Sequence, residues 1–581
     1  MKTPDHETTP EPRLKVGTDR WAVRERVTAR PAVAPYPPFS NPTVIDRHYS
    51  TSLMKWSPFL CFALALSGDA LAADPTPARV TLAQPALPVP SGPFAPTWDS
   101  LRANYQPPAW LVDGKFGIFL HWGLYAVPGR GSEWYPRHMY ATPGIIDFHR
   151  RKFGPQDKFG YKDFIPLFKA ERYDPAAWAA LFKKAGARYV MPVAEHHDGF
   201  AMYDSALTRW DAKDMGPKRD LVGELADAAR REGLVFCLSN HRMEHWDFMW
   251  PQRGLATDLL DPASADFYGP PQPPHERAQA GEEVFAGTAN GQSPAFLEEW
   301  LRRNQELVDK YRPQMVFFDN GVNPRRFDDV KLRFAAYYYN RAAEWGLPVS
   351  VTTKADAYLA ATVKDYERGR PSGISEQFWQ CDTSIAHNSW GYIDGLVLRN
   401  AGELIRELID CVAKNGAYLL NLAPRADGSI PEDQQLRLLQ MGEWLGVNGE
   451  AIYGTRPWHR FGEGPTVEPV HARNPYRGVT NAMLVSFTPQ DLRFTRSQPA
   501  ADGTYTLYVH LLAWPADGKV TITSLAEGAP GAAGIIAKVS LLGSSQDATF
   551  TRNATGLQVT LPPWRPSDFA NVLKITGLQL P

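Results

Sequence analysis

Four short apolar runs in this sequence end in residues that can move protons or hold hydroxyl groups. Phe116–Leu120 is followed by His121-Trp122, and Tyr189–Ala194 by Glu195-His196-His197-Asp198. Val235–Leu238 leads to Asn240-His241, and Met315–Phe318 runs into Asp319-Asn320. A satisfied structural histidine is the ordinary reading of any one of these. Four successive runs ending this way argue for one shared site. Carboxylates, neutral imidazoles and tryptophans suit glycoside hydrolysis, which needs two carboxyls flanking the scissile bond and partners for sugar hydroxyls. Asp319, with a fixed backbone at the end of an apolar run, is the nucleophile candidate. Its partner must be kept protonated near neutral pH by apolar or like-charged surroundings. Glu367, in Asp365-Tyr366-Glu367-Arg368-Gly369, lies on a Gly/Pro-rich segment long enough to reach over the strand ends. On residue chemistry alone Glu376, Asp382, Asp198 and Glu133 compete with it.

Other chemistries find less support. His241-Arg242-Met243-Glu244-His245 matches the H-x-x-E-H string of one class of zinc peptidase. That chemistry needs both histidines on one helix face, and here the string follows a strand directly and runs into Trp246-Asp247-Phe248. There is no G-x-S-x-G elbow, phosphate-binding P-loop or G-x-G-x-x-G. No metal and no cofactor are expected.

The elements that must position these residues alternate along the chain. Besides the four runs, Pro348–Val351 and Tyr418–Leu422 read as strands. Pro175–Ala185, Leu221–Glu232, Pro294–Tyr311, Val330–Trp345 and Arg399–Lys414 read as amphipathic helices. Strands that are apolar throughout and separated by helices imply a parallel sheet covered on both faces. About 330 residues of this pattern, with long loops after several strands, predict a (β/α)8-type barrel, whose C-terminal strand ends converge on one site. Trp246–Ser293 is a long loop of the kind that forms lids or substrate walls. Beyond about Thr455, Thr504–Leu512, Val520–Ile522, Leu557–Leu561 and Val572–Ile575 alternate or are β-branched, with Asp-Gly and Pro-Gly turns between them. They predict a C-terminal β-sandwich.

Composition bounds the partners. With 62 Lys+Arg against 63 Asp+Glu, no net field recruits nucleic acid or anionic lipid. The 18 Trp offer flat apolar faces suited to sugar rings. Residues 1–53, rich in Pro, Arg and Thr, read as a disordered, over-extended N-terminus. Residues 54–72 read as a signal peptide: a charged start, a core too short to span a bilayer, and Ala70-Leu71-Ala72 before Ala73. This reading places the mature chain in the periplasm or outside the cell, with no membrane insertion. Residues 73–97 read as a linker, 98–454 as the barrel and 455–581 as the sandwich. Cys237, Cys381 and Cys411 form no disulfide framework and read as buried thiols. Oligomeric state is left open.

Several ordered blocks then carry a family resemblance. Lys115–Tyr140 (KFGIFLHWGLYAVPGRGSEWYPRHMY) resembles the opening signature of the α-L-fucosidases of glycoside hydrolase family 29. Glu195–Ser205, Met315–Gly321, Ser389–Tyr392, Lys414–Glu432 and Asn448–Trp458 resemble later blocks in the same order. The resemblance spans roughly Trp98 to Trp458. It implies a barrel with a C-terminal β-sandwich, retaining double displacement without a metal, and a fucosylated oligosaccharide or glycoconjugate as substrate. Carried over residue by residue, Asp319 matches the nucleophile, His121 the first-strand histidine at the fucose, Glu133 and Trp134 the S-E-W block, and His196 and His197 the paired histidines at its hydroxyls. Side chains of neighbours on a strand point apart, which favours sugar contacts over a metal pair. The departures are informative. Where many members have Trp-Glu, this chain has Trp379-Gln380, and Gln380 cannot titrate; Glu367, 48 residues after Asp319, is the closest match to the acid/base. Ser239-Asn240-His241 replaces an aromatic pair on the third strand, a change for which His241 and Glu244 are expected to compensate; Asn240, His241 and, from the Trp-Glu block, Trp379 are expected at the sugar. Lys354 stands where the family often has Arg. For retention, the Asp319 and Glu367 carboxyls are expected about 5–5.5 Å apart. The competing readings are a non-hydrolytic fucose-binding protein, suggested by Gln380, and a glycosidase for a related L-sugar such as L-galactose.

Overall fold

A computed structural model describes residues 84–269, 292–466 and 486–579. The expected leader and the stretch before it lie outside the described residues. Eight parallel strands close into a barrel: β1 (Phe116–Leu120), β2 (Tyr189–Glu195), β3 (Val235–Phe236 and Leu238–Asn240, broken at Cys237), β4 (Met315–Phe318), β5 (Ser350–Lys354), β6 (Val363–Asp365), β7 (Trp379–Ser384) and β8 (Gly416–Leu422). Each pairs with the next, and β8 returns to β1 with Ile118 opposite Leu420. Phe119, Met191, Val193, Phe317 and Leu419 fill the lower barrel, the packed interior expected of this fold.

The helices outside follow ordinary capping rules. Pro175–Lys184 starts after Asp174, whose carboxylate accepts from the Ala176 and Ala177 N–H groups, and Pro294–Tyr311 is capped by the Ser293 hydroxyl. Asp328–Trp345 ends at Gly346 in the left-handed region. Two connections depart from the regular pattern. Between β5 and β6, and between β6 and β7, the chain forms turns instead of a helix. The second of these turns carries Glu367. Strands β6 and β7 were not legible as apolar runs, and β5 sits two residues later than expected.

Residues 84–97, within the stretch read as linker, lie against the barrel helices. Gln305 bonds both the N–H and the C=O of Leu87, and Asn340 bonds Phe94 and Pro90. Cys237, Cys381 and Cys411 are buried and free.

The C-terminal strands are β9 (Arg456–Glu463), β10 (Leu492–Arg496), β11 (Thr504–Leu511), β12 (Lys519–Ile522), β13 (Ala533–Leu541), β14 (Thr549–Asn553), β15 (Gly556–Thr560) and β16 (Asn571–Gln579). They form antiparallel sheets ordered β9-β10-β11-β16-β13 and β12-β15-β14, with Leu507, Val509, Ile522, Leu557 and Ile575 buried in one core. The sandwich docks on two barrel helices, Ala401–Ala413 and Glu432–Asn448. Trp444 donates to Ala570 O at 2.8 Å, and Arg406 to Leu512 O at 2.9 Å. Asp410 is the most connected point. Its carboxylate is reached by Arg493 of β10 at 2.5 Å, by Lys414 at 2.7 Å and by Arg370, three residues beyond Glu367, at 2.8 Å.

Candidate active site

The C-terminal ends of the barrel strands open into a cavity of about 220 Å³. His121, Glu133, Trp134, His196, His197, His241, Asp319, Lys354 and Glu367 line it, with Ser132, His138, Asn320, Asp382 and Trp390. Residues more than 200 positions apart thus share one pocket because each follows a strand of one barrel.

Asp319 leaves β4 almost buried. Lys354, the last residue of β5, makes a short contact with its Oδ1. On the other side, His241 Nδ1 lies 3.2 Å and His197 Nε2 3.5 Å from its Oδ2. Burial works to raise this carboxyl, but Lys354, His241 and His197 outweigh it and hold Asp319 well below the usual carboxylate range. Glu367 Oε2 accepts from the same Lys354 ammonium at 2.8 Å. Burial raises Glu367, Lys354 opposes the rise, and the negative charges of Asp382 and Asp319 add to it; the net shift is upward. The two carboxyls are therefore driven apart, Asp319 held down and Glu367 pushed up, the pattern that separates catalytic roles.

The histidines divide into two kinds. Burial keeps His121 and His196 well below their ordinary value, so both are neutral at pH 7. Asn421 Oδ1 lies 2.7 Å from His121 Nδ1 and also accepts the His121 backbone N–H at 2.9 Å. An amide oxygen only accepts, so Nδ1 carries the proton and Nε2 is left as an acceptor. His197 is opposed by burial but raised by Glu244 and Asp319, with Glu244 Oε2 at 3.5 Å. Both His196 and His197 reach the cavity, contrary to the alternation of a strand, because β2 ends at Glu195 and the backbone turns immediately after it. Glu195 is buried below them and accepts from Arg242 at 2.5 Å and Arg303 at 3.1 Å.

Glu133 is fixed by the loop after β7: its Oε2 accepts from the Trp390 N–H at 3.1 Å and the Gly391 N–H at 3.2 Å. Trp134 stands edge-on to His197 and Phe248, and Trp390 packs against His121 with its ring centre 5.2 Å away. Trp390 is a residue that sequence reasoning did not single out here. Trp390 lay in the quoted Ser389–Tyr392 block. Glu244 is buried beside His197, and burial pushes its carboxyl up to about 7.

Two expected residues do not line the cavity. Asn240 points outward, its Oδ1 accepting from the Arg242 N–H at 2.8 Å, while its neighbours Ser239 and His241 point inward and bond to each other. Trp379 opens β7 at the opposite end from the cavity. Its indole donates to Lys414 O at 2.9 Å and meets Tyr366 edge-on, and Gly416 leaves the space the ring needs. Gln380 lies inside the barrel below the cavity, so its failure to titrate removes nothing from the pocket. The H-x-x-E-H string forms a short 3-10 turn, Arg242–Asp247. His241 faces the cavity, while His245 bonds His197 O, so the two do not converge as that zinc motif requires. Ring nitrogens of His121, His196 and His241 do lie within 4.8 Å of one another, as do ligand atoms of His197, His241 and Asp319. The same atoms serve equally as hydroxyl partners.

Comparison with known proteins shows the family of the chain. A family profile described as alpha-L-fucosidase matches residues 81–450, and a second, for the alpha-L-fucosidase C-terminal domain, matches 486–576. Tissue alpha-L-fucosidase of Rattus norvegicus is 29% identical over 503 residues, 83% of this chain and 92% of its own length. Plasma alpha-L-fucosidase of Homo sapiens is 31% identical over 494 residues, 81% of this chain and 88% of its own length. The crystal structure of Thermotoga maritima alpha-fucosidase in complex with fucose is 28% identical, with a TM-score of 0.63, covering 83% of this chain and 99% of that one. With both profiles in chain order and this coverage on each side, the chain belongs to the α-L-fucosidase family.

Proposed function

We propose that this chain removes terminal α-L-fucose from glycans by a retaining double displacement, with Asp319 as nucleophile and Glu367 as acid/base. The observation that carries this reading is the single Lys354 ammonium in contact with both carboxyls. Two oxygens each about 3 Å from one atom can be no more than about 6 Å apart, which suits the retaining separation of about 5–5.5 Å and not the wider inverting gap. Asp319, held ionised, attacks the anomeric carbon while Glu367 gives its proton to the leaving oxygen. Glu367, now a base, then takes a proton from the water that opens the glycosyl-enzyme, so configuration is retained.

The remaining residues bind the ring. His121 offers Nε2 as an acceptor, His196 a neutral imidazole and His197 a donor. Glu133 accepts from hydroxyls, and Trp134 and Trp390 cover the apolar faces. His241 holds the Asp319 carboxylate from below. A cavity of about 220 Å³ takes one ring, which favours cleavage at chain ends. The substrate is thus a fucosylated oligosaccharide or glycoconjugate. Export through residues 54–72 accords with such a substrate, and no helix among the described residues is long and apolar enough to cross a membrane.

Release of 4-nitrophenol from 4-nitrophenyl α-L-fucoside tests the assignment. Asp319→Asn should be inactive. Glu367→Ala should keep part of its rate on this activated substrate and regain more with azide. Near wild-type turnover by Asp319→Asn would refute the nucleophile. Binding of fucose by a wild-type chain that releases no product would favour a non-hydrolytic role, and a preference for the L-galactoside would change the sugar.

A further inference from the structure

Below the catalytic carboxyls the barrel interior holds a line of polar side chains that hydrolysis does not use directly. It begins at Tyr189 of β2, whose hydroxyl donates to Gln380 Oε1 at 3.0 Å. Gln380 Nε2 donates in turn to Asp365 Oδ1 at 3.1 Å. Asp365 ends β6, Asp382 lies two residues beyond Gln380 on β7, and the strands run in register with Asp365 opposite Gln380. The two carboxyls therefore stand on adjacent inward positions and meet each other. Asp382 Oδ2 lies 3.9 Å from Lys354 Nζ. Tyr189, Gln380 and Asp365 are buried beneath the cavity, and Asp382, also buried, stands at its floor.

The hydrogen-bond count in this line does not close without an added proton. Asp365 Oδ1 is satisfied by Gln380. Asp365 Oδ2 and Asp382 Oδ1 are both buried, and neither has a donor. Two buried carboxylates in contact, each with an oxygen that has no donor, are unfavourable because the oxygens lack partners and the charges repel. One proton between them satisfies both. The Gln380 amide, by donating to Asp365 Oδ1, leaves Oδ2 as the oxygen free to carry it.

We propose that Asp365 and Asp382 share one proton, carried on Asp365, and that the remaining negative charge, resting on Asp382 beside Lys354, keeps Glu367 in its proton-bearing form. Asp382 is then a positioning residue that acts through Lys354 and Glu367, and Asp365 is the neutral donor that holds it in place. Burial and the neighbouring Asp382 both push Asp365 up, in keeping with a protonated carboxyl. The charged and titratable groups around Asp382 are Lys354 from β5, Asp365 from β6, Glu367 and Arg368 from the turn after it, and Asp319 from β4. Arg368 gives its backbone N–H to Asp382 O and its guanidinium to the Ala386 and His387 carbonyls, so Lys354 is the cation placed between these carboxyls. With Asp319 ionised and a single charge on the Asp365/Asp382 pair, it already faces two anions, so ionising Glu367 would add a third. The departure at Gln380 gains a role here: an amide orients the pair where a third carboxyl would add repulsion.

The inference rests on Glu367 as the acid/base. The test is the pH dependence of kcat on an alkyl α-L-fucoside, whose leaving group needs protonation, for wild type, Asp365→Asn, the double variant Asp365→Asn/Asp382→Asn and Glu367→Gln. The double variant removes the pair's one charge, which disfavours ionised Glu367, so the alkaline limb should move to lower pH by about one unit. Asp365→Asn keeps both hydrogen bonds, because its NH2 donates to Asp382 and its carbonyl accepts from Gln380; its limb should stay in place. Infrared spectra of the unreacted wild-type protein should show a buried protonated-carboxyl band that persists above neutral pH and is lost in Asp365→Asn. This arm needs no Asp382 variant to fold. An unmoved alkaline limb in the folded double variant, an equal shift in Asp365→Asn, or no such band would each overturn the proposal. If Glu367→Gln keeps wild-type turnover on the alkyl fucoside, the acid/base assignment is what fails, and the part of the band lost in Asp365→Asn still reports on the pair.

Discussion

Replacing Lys354 by Met should move the whole pH profile towards alkaline pH. Lys354 Nζ lies 2.8 Å from Glu367 Oε2 and in closer contact with Asp319 Oδ1. At an effective dielectric of about 20, unit charges at that separation attract by about 6 kcal/mol, and the desolvation of a buried ammonium offsets roughly half of it. The remaining 2–3 kcal/mol corresponds to about 2 pH units on a carboxyl. The sign is the same for both groups: a cation favours the ionised form, so its removal raises each pKa. The acid limb of kcat/KM reports ionisation of Asp319 in the free enzyme and should rise by about 2 units; the alkaline limb, set by Glu367, should rise too. 4-Nitrophenyl α-L-fucoside is the suitable substrate, because its leaving group isolates the acid limb. Circular dichroism checks that the variant folds, and Lys354→Arg, which keeps the charge, should leave the limbs near their wild-type positions. An acid limb within a few tenths of a unit of wild type, in a folded Lys354→Met, would refute the idea that this ammonium holds Asp319 ionised.

Three further predictions concern binding and stability. Asn421→Leu removes the acceptor that fixes the His121 tautomer and should raise KM about tenfold with a smaller change in kcat, measured with the same substrate. Trp134→Ala should weaken competitive inhibition by L-fucose about ten- to a hundredfold, and an unchanged inhibition constant would remove Trp134 from the sugar site. Glu299 is opposed by burial, yet Arg242 and Arg303 hold it down to about 2. Its depressed value contributes stability above the unfolded carboxyl range, lost as pH falls towards about 2. Urea midpoints should therefore fall between about pH 5 and pH 2, and Glu299→Gln should flatten that slope while lowering the midpoint at pH 7.

The legible parts of the fold were the strands that bury both faces. Met315–Phe318 and Phe116–Leu120 match their runs because every residue is apolar and enclosed. Val363–Asp365 and Trp379–Ser384 escaped notice because their inward positions carry Asp365, Gln380 and Asp382, which erase the apolar signature of a barrel strand. The missing helices on either side of β6 removed the second cue. Strand-end histidines and Asp319 were legible because chemistry-bearing residues followed recognisable runs. Asn240 was expected in the cavity from its place at a strand end, and Trp379 from the family block that holds Trp-Glu. Whether a side chain faces in or out depends on its parity along the strand, and which end of the barrel it occupies depends on its distance from the strand's C-terminus. The sandwich strands Arg456–Glu463 and Thr549–Asn553 are largely open to solvent, so little apolar alternation marked them.

Asp410 gives the two-part architecture a thermodynamic meaning. The same carboxylate that receives Arg493 from the sandwich also receives Arg370 from the turn that carries Glu367. Docking of the C-terminal sheet and ordering of the acid/base turn therefore draw on one shared anion and are coupled. By reciprocity, whatever shifts the turn, including a sugar seated against Glu367, acts on the seam between barrel and sandwich by the same coupling energy. A domain with no residue in the pocket thus becomes part of the enzyme's affinity for its substrate, and a cut at residue 455 would alter the catalytic half.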